Sequence, residues 1–144
     1  MRRVYQEIVD AGHGDCFRCC LATILNLPRE GVPNFRAIEA DTGTDMMKLA
    51  GEWTENNFNL SLVTIYMGEK IACGEDFRLI GGVKGTPCIA TYKSPNLDGC
   101  LHAAVGEIDG RFVQIVHDPT PNGKEITTRP LFLTFLVSMY PGKL

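Results

Sequence analysis

Three residues far apart in the chain, Cys16, His102 and Asp118, have the types that together perform nucleophilic acyl chemistry: a thiol, an imidazole to take its proton, and a carboxylate to orient the imidazole. Cys16 follows Gly12-His13-Gly14-Asp15, a glycine-containing loop that ends on an N-cap residue type. Phe17, Cys20, Leu21 and Ile24 then recur at helical spacing until Pro28 forbids continuation. Cys16 is therefore predicted at a helix N-terminus. There the free N–H groups and the positive end of the helix dipole favour a thiolate, and the same N–H groups can receive the oxyanion that forms when a thiolate attacks a carbonyl. Gln6 is the candidate for a second oxyanion donor, since a side-chain amide commonly complements a helix N-terminus in that role. Taken alone, Gln6 reads as a solvated surface residue.

His102 and its partner are expected on a hairpin. Cys100 to Ile108 reads as a strand of small and apolar residues, Asp109-Gly110 is a strong turn signal, and Arg111 to Asp118 is the return strand. An even-sum pairing register places His102 and Asp118 on one face, whereas an odd-sum, two-residue turn brings His117 to that face instead. The sequence leaves the register open. Asp118 is the preferred partner because a carboxylate stabilises an imidazolium, while a second histidine beside it opposes charging; His117 is then a polar strand residue pointing away. His13 is a weaker rival for the base.

The elements that must position these residues follow in order. Val4 to Val9 reads as extended, and after the Cys16 helix a proline-punctuated connection leads to Asn34, a plausible cap for a short helix from Phe35 to Ala40. Thr42 or Thr44 is the expected cap of a longer helix from about Asp45 to Asn57, whose stripe Met46, Leu49, Ala50 and Trp53 is read as core against the first helix. Leu60 to Met67 alternates as a strand, while residues 68–85, with their glycines, receive no element. Thr86 to Tyr92 is a strand, in which Pro87 marks either the first residues or an edge position. Leu97-Asp98-Gly99 is a turn, and Leu131 to Met139 is an apolar strand expected to be buried on both faces or nearly so. Helices first and antiparallel strands second imply an α+β fold.

At 144 residues, 44% of them hydrophobic, the chain is expected to be one compact domain spanning 1–144. A formal net charge of -3 without runs of Lys or Arg argues against nucleic acid or an anionic membrane surface as partner. No apolar run approaches the roughly 20 residues that span a bilayer, and Met1 to Glu7 lacks a signal-like apolar segment, so a cytoplasmic protein with free thiols is expected. Cys16-x-x-Cys19 with Cys20 adjacent superficially resembles a metal or thioredoxin-like motif. However, Cys73, Cys88 and Cys100 are scattered singly, and the helices precede the sheet, so neither a metal nor another cofactor is expected.

Gly14-Asp15-Cys16-Phe17-Arg18-x-Cys20-Leu21-Ala22, Leu27-Pro28 through Pro33-Asn34-Phe35, Lys93-Ser94-Pro95 with His102-Ala103-Ala104-Val105, and His117-Asp118-Pro119 together resemble a family of small papain-like cysteine peptidases of bacteria and phages. The later blocks are also similar to the bacteriocin-processing peptidase domains fused to ABC transporters, whose processing function does not carry over. The resemblance implies a papain-like fold, its nucleophile helix packed on an antiparallel sheet, with Cys16 as nucleophile, His102 as general base and acid, Asp118 as the orienting residue and Gln6 in the oxyanion hole. One departure stands out: the family's glutamine lies closer to the cysteine, a place taken here by Asp10, so Gln6 serves only if the segment from Ala11 to Gly14 loops out. The expected activity is hydrolysis of a peptide or protein substrate through a thioester, peptidase before amidase, isopeptidase or transglutaminase, with specificity in the loops 68–85 and 93–100. The competing expectation is a papain-like binding module without turnover, such as a phage protein that engages a component of the host cytoplasm.

Overall fold

A computed structural model describes residues 3–9, 14–67, 84–109, 112–121 and 123–139; His13, Cys73 and most of the 68–85 loop lie outside them. The fold is α+β. Three helices, α1 (Cys16–Leu25), α2 (Phe35–Thr42) and α3 (Met46–Phe58), precede the strands β1 (Leu60–Tyr66), β2 (Pro87–Lys93), β3 (Leu101–Asp109), β4 (Phe112–His117) and β5 (Phe132–Ser138) among the described residues. The strands form one antiparallel sheet in the order β1-β5-β2-β3-β4.

α1 forms because its apolar residues fall on one side: Phe17, Cys20 and Leu21 are buried in a cluster with Ile89 of β2 and Ala103 and Val105 of β3. The helix ends before Pro28 is reached. Asn26 adopts the left-handed conformation at φ 57°, and the N–H groups of Asn26 and Leu27 close back on Thr23 and Ala22. α2 is capped as expected, Asn34 accepting from the Ala37 N–H at 3.2 Å. For α3 the cap is Asp45, which accepts from the Met47 N–H at 3.0 Å, and neither Thr42 nor Thr44 takes that role. An Asp directly before the first apolar residue is nearer the free N–H groups than either threonine. α3 packs against α2 and β1 rather than chiefly against α1.

Of the two places offered for Pro87 it takes the first: it is the first residue of β2, which lies inside the sheet between β5 and β3, and a leading proline needs no ladder donor. The expectation for β5 is corrected: it is buried only in its first half, at Leu133 and Thr134, while Val137 is 43% exposed. The opposite sheet face has its own core of Cys88, Ala90, Tyr92, Ile108 and Leu133.

The β3–β4 ladder settles the register that the sequence left open. It starts with an odd sum, Asp109 opposite Phe112 and Gly106 opposite Ile115, then shifts so that Val105 faces His117. Val116 is the extra residue. The bulge turns an odd-sum hairpin into an even-sum one at the end where His102 lies, and so places Asp118 on the His102 face. Gly106 sits at the shift, where an added Cβ would lie 2.6 Å from Val113 Cγ1.

Candidate active site

Cys16 is the first residue of α1, half-buried, in the turn whose N–H groups have no partner inside the helix. Asp15 precedes it but its carboxylate caps nothing. Instead the buried side chain accepts from the Ile8 N–H at 3.3 Å and pairs with Arg29 at 2.9 Å, and Arg29 also binds Glu7. Asp15 is therefore a strut that ties residues 7 and 8 to the start of the helix. Burial raises its pKa above the ordinary carboxylate value, against the Ile8 N–H, the Arg18 charge and the Gln6 amide, which favour the anion.

His102, only 5% exposed, lies near the start of β3, with Nε2 2.7 Å from Asp118 Oδ1 and the Cys16 thiol close enough to favour its charged form. With Nε2 committed to Asp118, Nδ1 is the nitrogen left for the sulfur. Burial is the largest influence on the imidazole and disfavours its charge, but the hydrogen bonds and charges of Asp118 and Cys16 outweigh it and raise the pKa to about 9. Asp118 answers in the other direction: desolvation pushes its pKa up, and His102 together with the Thr120 N–H, 3.0 Å from Oδ1, brings it below the ordinary value. The three groups form a chain from thiol to carboxylate.

The remaining expected residues fall as follows. Gln6 is 8% exposed, a correction to its reading as a solvated residue, because its backbone N–H donates to Pro119 O at 2.8 Å and draws it under the 118–120 segment. The Val4 to Val9 segment joins no strand; it is held by such single bonds, among them Val4 N–H to Thr23 Oγ1 at 3.0 Å. The Gln6 side chain lines the same cleft as Cys16 and His102. His117 faces away from His102 but is buried, its Nε2 2.6 Å from Val4 O and its ring 4.8 Å from that of Tyr5. A histidine with an apolar body and one polar contact suits such a site better than solvent.

Cys19, Cys20 and Cys88 are buried, and desolvation pushes the thiols of Cys19 and Cys88 up to about 12 and that of Cys20 well above its ordinary value. Such thiols are poor nucleophiles and poor ligands. Among the described residues no cluster of three or more His, Cys, Asp or Glu is placed to hold a metal ion, and no helix is long and apolar enough to cross a membrane.

Thr120 is the residue that sequence reasoning missed. Its hydroxyl donates to Gln6 Oε1 at 2.7 Å and lies 3.3 Å from His102 Nε2. The available signal was Asp118-Pro119-Thr120 itself, since an Asp commonly accepts from the backbone N–H two residues on. The cleft has a volume of about 620 Å³; beyond Cys16, His102 and Gln6 its walls include Met46, Met47, Leu97, Leu101 and Phe132, with Arg36 and Glu39 paired at 2.7 Å on the α2 side. Compared with family models, curated proteins and solved structures, the chain matches none.

Proposed function

We propose that this chain is a papain-like cysteine hydrolase that cleaves a peptide or other amide through a thioester on Cys16. The observation that carries this reading is that Cys16 and His102 line one cleft and that His102 is bonded to Asp118, which brings together a helix N-terminus, a strand start and the residue just past a bulge. Three groups so distant in sequence meet in the order that nucleophilic catalysis needs. The apolar walls of the cleft suit a peptide with an apolar side chain beside the scissile bond, met in the cytoplasm.

Sγ of Cys16, as thiolate, attacks the substrate carbonyl carbon, and the carbonyl π electrons move onto oxygen. The Cys16 N–H at the head of α1 and the Gln6 amide are the donors for that oxyanion. When the tetrahedral intermediate collapses, the C–N bond breaks, His102 gives its proton to the departing nitrogen, and a thioester remains. Water then attacks the thioester carbonyl, His102 takes a proton from it, and the C–S bond breaks to release the acid and the Cys16 thiolate. Asp118 holds the imidazole in place throughout and stays ionised.

The test uses p-nitrophenyl acetate as the acyl probe. The proposal predicts rapid p-nitrophenolate release and an acetyl adduct on Cys16 by peptide mass mapping, both lost in Cys16→Ala. Cleavage of a mixed peptide library that is absent in the same variant then identifies the substrate. Absence of acetylation at Cys16 would contradict the proposal and favour the binding module.

A further inference from the structure

Gln6 and His102 approach the site from opposite sides, one from the N-terminal segment and one from the sheet, and a single side chain touches both. Thr120 Oγ1 has one hydrogen, and that hydrogen goes to Gln6 Oε1 at 2.7 Å because a carboxamide oxygen can only accept. The contact at 3.3 Å to His102 Nε2 is then donated by the imidazole, which shares its Nε2–H between Asp118 and Thr120. The polarity of the whole series follows: His102 N–H to Thr120 O–H to Gln6 C=O.

A carboxamide can turn end for end with little change in shape, and only its nitrogen end stabilises an oxyanion. With the oxygen end held by Thr120, the nitrogen end is directed toward the start of α1, where Nε2 lies 3.0 Å from Ile8 O. Ile8 O also accepts the Asp15 N–H at 3.2 Å, so the amide is pinned beside the residue that precedes Cys16. Thr120 is itself fixed by its N–H on Asp118. Hydrogen bonds in series polarise one another, so a proton on His102 strengthens the hold on Gln6.

We propose that Thr120 is a positioning residue that sets the orientation of the Gln6 carboxamide and couples it to His102, so that the oxyanion donor is aligned when the imidazole is charged. This rests on the hydrolase reading, and it predicts an effect confined to steps that form an oxyanion. Acetylation of Cys16 by p-nitrophenyl acetate forms one; alkylation by iodoacetamide, a displacement at a saturated carbon, does not.

The experiment measures both rates on the full chain for the native protein, Thr120→Val, Thr120→Ser and Cys16→Ala, each checked for native near-UV circular dichroism; Thr120→Ala replaces the valine variant if that one does not fold. Expected are an acetylation rate lowered about 10- to 100-fold in Thr120→Val, an iodoacetamide rate at Cys16 within about 3-fold of native, and recovery of acetylation in Thr120→Ser to within about 3-fold, since serine keeps the hydroxyl. Unchanged acetylation in Thr120→Val overturns the proposal, as does an equal fall in both rates, which would place Thr120 in the support of the His102–Asp118 pair alone. Acetylation that persists in Cys16→Ala would instead overturn the hydrolase reading, whatever Thr120 does.

Discussion

His102 carries the charge balance of the site, and its pKa of about 9 has two consequences. On the proposed mechanism the imidazolium is the general acid, so kcat/KM is predicted to fall as pH rises through about 9, tenfold per pH unit beyond it, in a pH–rate profile. For stability, a histidine raised from 6.5 to about 9 contributes fully below pH 6.5 and loses that contribution as pH rises through 9, while Asp118, lowered from 3.8, contributes above 3.8 and loses it as pH falls through its lowered value. The Tm difference between the native protein and His102→Gln should therefore shrink between pH 6 and pH 9.5; a constant difference would show that the pair is not charged in the folded chain. Asp118→Ala is expected to lower turnover by about 100-fold or more, with Cys16 still accessible to alkylation. Cys16, His102 and Asp118 were legible as residue types because few arrangements need a thiol at a helix start, a strand histidine and an adjacent aspartate. Thr120 was not, because its role depends on two side chains that meet it only in three dimensions.

The β3–β4 hairpin decides which residue faces His102. Its sequence advertises the turn at Asp109-Gly110, and the ladder does begin with an odd sum; what the sequence hides is the extra residue at Val116, since nothing in Ile115-Val116-His117 differs from an ordinary apolar strand. Inserting an alanine after Val116 should push the rest of the strand on by one residue, bring His117 to the face of His102 and remove Asp118 from it, with loss of Cys16 acetylation, whereas deleting Val116 should remove the bulge and leave Asp118 in place. Retained acetylation in the insertion variant would contradict the role given to the register. Gly106→Ala is expected to destabilise the protein by about 1–3 kcal/mol in urea unfolding, because the new Cβ meets the stiff Val113 side chain at 2.6 Å with Cys88 Sγ behind it at 3.4 Å. The N-terminal segment is the reverse case. Read as an extended stretch with a solvated Gln6, it is held by bonds to Thr23, Asp15 and Pro119 that no local pattern announces.

The order of elements, helices before an antiparallel sheet, was readable from periodicity alone, and the strand order was not, since β5 returns from the C-terminal end to lie between β1 and β2. That return puts a leading proline, Pro87, inside the sheet and leaves the far end of β5 uncovered. The five described thiols are sorted by depth. Cys19, Cys20 and Cys88 are buried in the two cores on either side of the sheet, and Cys16 and Cys100 are half-buried at the cleft. Native protein treated with iodoacetamide should be modified at Cys16 and Cys100 long before Cys19, Cys20 or Cys88, which should react only in denaturant; early reaction of Cys20 would mean that α1 does not stay packed on β2 and β3.

Catalysis as proposed requires that His102 activate Cys16. The direct measurement is the iodoacetamide rate at Cys16 by peptide mass spectrometry at pH 6.5, with Cys100 in the same molecule as the internal reference and His102→Ala as the comparison. An activated pair predicts that Cys16 reacts at least about tenfold faster than Cys100 and that the advantage disappears without the imidazole. Equal rates at Cys16 and Cys100, or a Cys16 rate indifferent to His102, would contradict it.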